Sequence, residues 1–341
     1  MRGGFPLTRP SPPRGQRVMW ALMLVAGGVL LAGLPYVVTS AYVMHLIIFS
    51  GIYIIFALSY DIVVGYLGML SLAHPAFYGV GAYTSVLLVM QLDVPFLPAF
   101  AAAGLLAALV AVVVGYPALR LSYHSFAIVT LAFTLIVRIV WINWVSLTNG
   151  PMGIPGVPRP RLDVPFLGQI RVETSTGYYY LILVLVLLTC SFVYLMIHSR
   201  VGRVLVSIRE NEVLAETLGV NAFRYRMVAF AIGALFAGIA GSFTAHYITF
   251  VGPEFTDFYY ITMLLIMVIL GGSGTIHGVI LGAIVFTFVP EYLRITPEFR
   301  DVIYGCILLL TIVFMPGGIG GKLNDVLARR RVPSHAAAGN R

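Results

Sequence analysis

Six ionisable side chains fall inside long apolar runs of this 341-residue chain: His45, Asp61, His74, Arg138, His246 and His277. Ionisable groups in such runs are costly, so they point to an ion or cargo path, a proton relay or a buried pair. Asp61 is the one acidic group available there to couple an ion gradient, and it stands near the end of its run, where solvent is close. Arg138 lies toward the outer end of its run, where its side chain can snorkel outward, with Asn143 five residues on. Other chemistries lack their residues. The only lysine, Lys322, follows GGIGG and precedes Leu323, and no GxxxxGK[ST] loop exists, so ATP would have to be bound by a separate chain. There is no HExxH, CxxC or GxSxG motif and no acidic pair placed with a base, so neither a metal site nor an intramembrane enzyme is indicated. Cys190 and Cys306 lie in apolar runs and read as small hydrophobes. No cofactor is expected.

The elements that must hold these residues follow from composition. The chain is 60% hydrophobic and 10% charged, with a mean hydropathy of +0.95, whereas soluble domains are about 25% charged. Its net charge of +8 lies in short flanks between apolar runs, which fits membrane orientation and membrane lipid rather than nucleic acid. The runs fall near 18–38, 41–63, 66–91, 96–118, 124–145, 177–197, 227–249, 258–273, 275–290 and 301–316. The fold class is therefore all-α: a polytopic transmembrane helical bundle of eight to ten spans, with broken helices. One side of this topology carries fifteen Lys and Arg against five on the other, which puts both termini in the cytoplasm of a multi-pass protein. Residues 1–17 then form a basic tail, 18–316 the membrane domain and 317–341 a second basic tail. The first run resembles a signal peptide but lacks a small-residue cleavage site, and is expected to be a retained span.

Two regions do not read as simple spans. Residues 258–290 would make a helix of about 50 Å at ~1.5 Å per residue, too long for a hydrocarbon core of about 30 Å. GGSG at 271–274 interrupts it. Residues 65–85, GYLGMLSLAHPAFYGVGAYTS, are rich in small residues and carry Pro75, which disfavours helix at His74. Irregular backbone in a membrane must be buried in protein or line a cavity. Gly68, Ser71, His74, Gly79, Arg138, Gly271, Gly272 and Gly274 are therefore the candidates for a translocation path, with tight helix packing as the other use of small residues. Gly68, His74 and Gly79 recur in spacing at Gly271, His277 and Gly282, a faint sign of duplication. The loop 146–176 falls outside and is stiffened by prolines and glycines. It is too short for a ligand-binding domain but long enough for a docking surface.

Residues 207–227, SIRENEVLAETLGVNAFRYRM, form a charged island within the cytoplasmic loop 198–226. Asn211 can cap a helix start and Gly219 can end it. Between them Glu212 and Glu216 share one face and Leu214 and Leu218 another. A helix of two turns is unstable alone in water, so it needs a partner surface.

From 209 to 241, RENEVLAETLGVNAFRYRMVAFAIGALFAGIAG resembles the coupling region of LivM-type permease subunits of bacterial ABC importers for branched-chain amino acids. Residues 65–85, LTNGPMGIPGVP at 147–158 and VILGGSGTIHGVILGAI at 268–284 resemble three further segments of that family, in the same order; Asn149 stands where the family has Gly. The match runs from about 40 to 322. The resemblance implies a permease for hydrophobic amino acids with no ATPase site of its own. It implies as partners two ABC ATPase subunits, a second homologous permease and an external amino-acid-binding protein. It assigns ATPase coupling to Asn211, Glu212, Ala215, Glu216, Leu218 and Gly219, and binding-protein docking to Asn149, Gly150, Pro151 and Gly153. Compared with the general coupling motif of ABC permeases the acidic residue is offset, which leaves open whether Glu212 or Glu216 makes the key contact. Related permeases carry urea or short amides, and an ion-driven transporter using Asp61 is the reading from a different class.

Overall fold

The computed structural model describes residues 33–38, 40–164, 168–172, 174–293 and scattered positions between 305 and 320. The two basic tails, most of the first apolar run and most of the last lie outside the described residues.

The described chain folds as helices α1 (Ala41–Asp61), α2 (His74–Gln91), α3 (Phe96–Ala118), α4 (Tyr123–Asn143), α5 (Val145–Thr148), α6 (Ser175–His198), α7 (Arg200–Glu210), α8 (Glu212–Thr217), α9 (Ala222–Ile248), α10 (Phe258–Gly271) and α11 (Ile276–Leu293). A π-helical turn, Ile62–Tyr66, extends α1. Among the described residues, five helices are long and apolar enough to cross a membrane: α1 with its π turn, α3, α4, α6 and α9. Helices dominate because a backbone in hydrocarbon must satisfy its own polar groups.

Burial separates centre from periphery. The most apolar windows of α1 and α9 are 78% and 61% buried, those of α3, α4 and α6 only 28%, 17% and 22%. Small residues let α9 into the middle. On α3, Ala99, Ala103, Ala107, Ala111 and Gly115 fall four apart and are all buried, while Leu105, Leu109 and Val113 face outward. A Cβ on Gly238 of α9 would lie 2.9 Å from the Ala103 carbonyl oxygen, and one on Gly81 of α2 would overlap the Gly238 backbone. Lipid tails are as apolar as leucine, so such close backbone approach and its dispersion contacts hold the helices together.

Both expected breaks are present. After the π turn the chain is irregular from Leu67 to Ala73, and α2 starts at His74 with Pro75 in its first turn, where a missing N–H costs nothing. Two threonines of α4 satisfy the exposed backbone: Leu72 N donates to Thr130 Oγ1 at 3.0 Å, and Thr134 Oγ1 donates to the Leu72 carbonyl at 2.7 Å. Between α10 and α11 the chain turns at Gly272 and Gly274, with φ of 104° and 77°. The two helices then cross closely, since a Cβ on Gly282 would meet Gly271 Cα at 2.9 Å.

At the opposite end the structure adds strands that the turn-rich reading of 146–176 did not contain. β1 (Ile154–Pro155) pairs antiparallel with β4 (Phe250–Val251), and β2 (Arg161–Val164) pairs with β3 (Gly168–Arg171). Prolines keep β1 too short to show a period, and its partner is nearly a hundred residues away in sequence.

Candidate functional site

The charged island forms a compact hairpin of two short helices at one end of the bundle. Ser199 caps α7 by accepting from Val201 N at 3.1 Å, and Gly202, Leu205 and Ile208 bury one face. Asn211 caps α8 by accepting from Leu214 N at 3.0 Å. The α8 terminus closes with Gly219 N donating to the Glu216 carbonyl at 2.9 Å and Val220 N to the Ala215 carbonyl at 3.1 Å. This paired closure is a Schellman motif, and it requires the left-handed φ of +85° at Gly219. Asn221 then caps α9 through Arg224 N at 3.1 Å.

Only part of α8 is held by its own chain. Ala215 is buried, and the Glu212 carboxylate pairs with Arg226 of α9. Val213, Leu214 and Leu218 are 72%, 58% and 78% exposed. Glu216 is also exposed, and its side chain makes no ion pair or hydrogen bond among the described residues. The two glutamates therefore differ: one is tied inward and the other is available.

From this hairpin Arg209 of α7, itself an exposed residue, extends its side chain to the first break. The Arg209 side chain passes Gly68, where a Cβ would meet its Cγ at 2.7 Å, and its Nη1 donates to the Gly65 carbonyl. A Cβ on Gly274 would lie 3.2 Å from the same nitrogen. Gly274 N in turn donates to Asp61 Oδ1 at 2.8 Å, while Asp61 Oδ2 is buried with no partner among the described residues. The expectation that Asp61 sits near solvent is corrected here: it is 1% exposed, because the α10–α11 turn folds over the end of α1. Leu67–Met69, Arg120–Tyr123, Ile208–Glu212 and Arg226 line an open cavity of about 470 Å³ beside this junction. Arg120 covers the Tyr116 ring at 4.2 Å there.

The other expected path residues are placed as follows. Ser71 is buried in the break and accepts from Ala73 N at 3.3 Å. His74 is buried near the middle of α9, with Nε2 3.3 Å from the Ser59 carbonyl and its ring edge-on to Tyr60. Gly79 packs on Thr256, where a Cβ would meet Cγ2 at 2.7 Å. Gly271 and Gly272 are buried in the α10–α11 turn. His277 is exposed, so the spacing it shares with His74 does not extend to its surroundings. His45 and His246 are hydrogen-bonded, the latter to Ser85 and the Pro158 carbonyl at 2.8 Å each.

At the far end, Asn149 adopts φ of +61° and its Nδ2 donates to the Gly153 carbonyl at 2.7 Å. Asparagine is among the few residues that tolerate this conformation, which accounts for its standing in place of glycine. Gly150 and Gly153 are buried against the bundle, while Pro151 and Met152 are exposed at the tip. Arg138 does not stand alone: its Nε lies 2.8 Å from Oδ1 of Asp257, the residue before α10. Sequence reasoning missed this pair, since 119 positions separate partners that are adjacent only in the bundle. It also missed Arg209, whose signal was its place two residues before a helix cap. Among the described residues no three His, Cys, Asp or Glu side chains gather to hold a metal.

A bundle of apolar helices with two glycine breaks and a capped helical hairpin at one end fits a multi-pass membrane protein. Residues 42–312 match the family described as branched-chain amino acid transport system / permease component, and the chain belongs to that family. It is 34% identical over 323 residues to the high-affinity branched-chain amino acid transport system permease protein LivM of Escherichia coli (strain K12), spanning 89% of this chain and 76% of that one. It is 27% identical over 285 residues to LivH of the same strain, spanning 79% and 91%. BraD of Pseudomonas aeruginosa is 26% identical over 287 residues, spanning 79% and 92%. No solved structure matches the chain.

Proposed function

We propose that this chain is the permease subunit of an ABC importer that carries branched-chain or other hydrophobic amino acids across the cell's inner membrane. Two separate ATPase subunits bind ATP, a second homologous permease completes the path, and an external binding protein delivers cargo to the 149–153 tip. The family relatives support the cargo and the presence of a second permease. The charge bias supports a cytoplasmic position for α7 and α8. The observation that carries the reading is the surface of α8. A six-residue helix, capped at both ends and anchored by Ala215, holds three large apolar side chains and one glutamate outward. Isolated helices of this length are unstable, so the fold invests a cap, a Schellman closure and an ion pair in presenting this surface. Covering Leu214 and Leu218 in a groove of the ATPase contributes about 1.5–3 kcal/mol for each side chain fully buried.

Of the path residues, Gly79 and Arg138 lie toward the far end, beside Thr256 and Asp257, and Gly68, Ser71, His74, Gly271, Gly272 and Gly274 lie in or beside the two breaks. Motion of α8 reaches them through α7. The test is purification of the tagged chain from native membranes, identification of the chains that accompany it, and leucine uptake by the purified assembly in proteoliposomes. An ATPase pair, a second permease and uptake that requires ATP are expected. A chain that purifies alone and takes up leucine on an ion gradient overturns the reading.

A further inference from the structure

We propose that Arg209 and Asp61 are positioning residues that form one pin joining the α7–α8 hairpin to both breaks in the membrane helices. This rests on the ABC-importer reading above and extends it. Arg209 is two residues from Asn211, the α8 cap, so a displacement of α8 is carried directly to its side chain. Its guanidinium holds the Gly65 carbonyl in the π turn, and its stem lies against Gly68 in the first break. Its Nη1 also lies against Gly274 in the second break, whose N–H is held by Asp61. Three segments far apart in sequence, 61–68, 209 and 274, thus meet around one arginine.

The chemistry suits a moving joint. A buried carboxylate needs charge or hydrogen-bond compensation, and Asp61 receives it from one backbone N–H while Oδ2 has no partner among the described residues. Arg209 has five N–H donors in a rigid fork and can exchange one acceptor for another without leaving the site. The hairpin therefore cannot move without displacing Gly65 or breaking the Arg209 bond. Displacing Gly65 drags it against Asp61 and Gly274, because a Cβ at Gly65 would already overlap both.

The experiment is leucine uptake and ATP hydrolysis measured on the same proteoliposomes, with the complete assembly of permeases, ATPases and binding protein. Arg209→Ala is expected to assemble and hydrolyse ATP but to move at least tenfold fewer leucines per ATP. Arg209→Lys, which keeps a cation and a donor, should retain a third or more of the ratio. Asp61→Asn keeps an acceptor for Gly274 N–H but loses the charge, and should fall with Arg209→Ala. The double variant should be no worse than Arg209→Ala alone, as for two members of one unit. Arg203→Ala, on the same helix but bonded to the His198 carbonyl rather than to either break, should leave the ratio unchanged. An unchanged ratio in Arg209→Ala, or losses that multiply in the double variant, overturns the pin. If Arg209→Ala does not assemble, the ratios in Arg209→Lys and Asp61→Asn decide between the same outcomes. A wild-type assembly whose uptake does not depend on ATP overturns the importer reading instead.

Discussion

Glu212 and Arg226 are paired across the turn that joins α8 to α9, so the first turn of α8 is fastened to the helix that follows it. Glu216, one turn on, has no such partner among the described residues. This pairing distinguishes two glutamates that the sequence puts on one helix face.

Charge changes at the two positions should therefore act differently. Glu216→Lys is expected to weaken retention of the ATPase several-fold at low salt, with the loss shrinking at high salt as screening grows. Glu212→Gln breaks a partly exposed pair worth about 0.2–1 kcal/mol and should leave retention within twofold. Pull-down of the ATPase at two salt concentrations checks both. Equal effects at the two sites would show that α8 presents no particular face.

Gly219 offers a test of geometry without crowding, because nothing lies within 4 Å of a Cβ built there. Alanine should cost about 1 kcal/mol through the left-handed φ alone, and valine more. Gly219→Val is expected to insert normally, lose the Schellman closure and hydrolyse ATP without matching uptake. Normal uptake per ATP in that variant would remove the coupling assignment from α8.

The Arg138–Asp257 pair ties α4 to the start of α10 at the other end of the bundle. Both side chains are roughly 40% exposed, so either single neutralisation should destabilise by no more than about 1 kcal/mol. Reversing both charges together should recover most of that loss. Thermal unfolding in detergent gives the cycle. If Arg138 serves cargo rather than packing, the double reversal will restore stability and not uptake.

Asn149→Gly keeps the φ of +61° and should lose only the Nδ2 bond to the Gly153 carbonyl, about 0.5–1.5 kcal/mol. Asn149→Val should lose about 1–3 kcal/mol more, through backbone strain in the 149–153 turn. Binding-protein affinity measured on the two variants separates a conformational role from direct contact: a conformational role leaves Asn149→Gly unchanged.

The sequence makes the long helices, both breaks and helix α8 legible because each depends on local chemistry. Apolar runs of bilayer length give the spans. GGSG and Pro75 give the breaks, and Asn211 and Gly219 give the caps. Burial of Asp61 was not legible, since it depends on the α10–α11 turn folding over α1 from some 210 positions away. The Arg138–Asp257 pair and the β1–β4 pairing were hidden for the same reason. Each is a contact between chain ends of different helices, and no periodicity encodes which ends meet. Helix α7 was a readable omission: Val201, Val204, Leu205 and Ile208 already carry helical spacing.

The central place of α9 bears on how the protein is made. Its small residues fill a slot between α2 and α3, yet it is synthesised after the eight helices α1–α8. Until residues 222–248 are made, the Gly81 face of α2 and the alanine stripe of α3 lack the helix that covers them in the finished bundle. The contacts that place α9 at the centre of the finished bundle therefore form only after everything they pack against on α2 and α3 has been made.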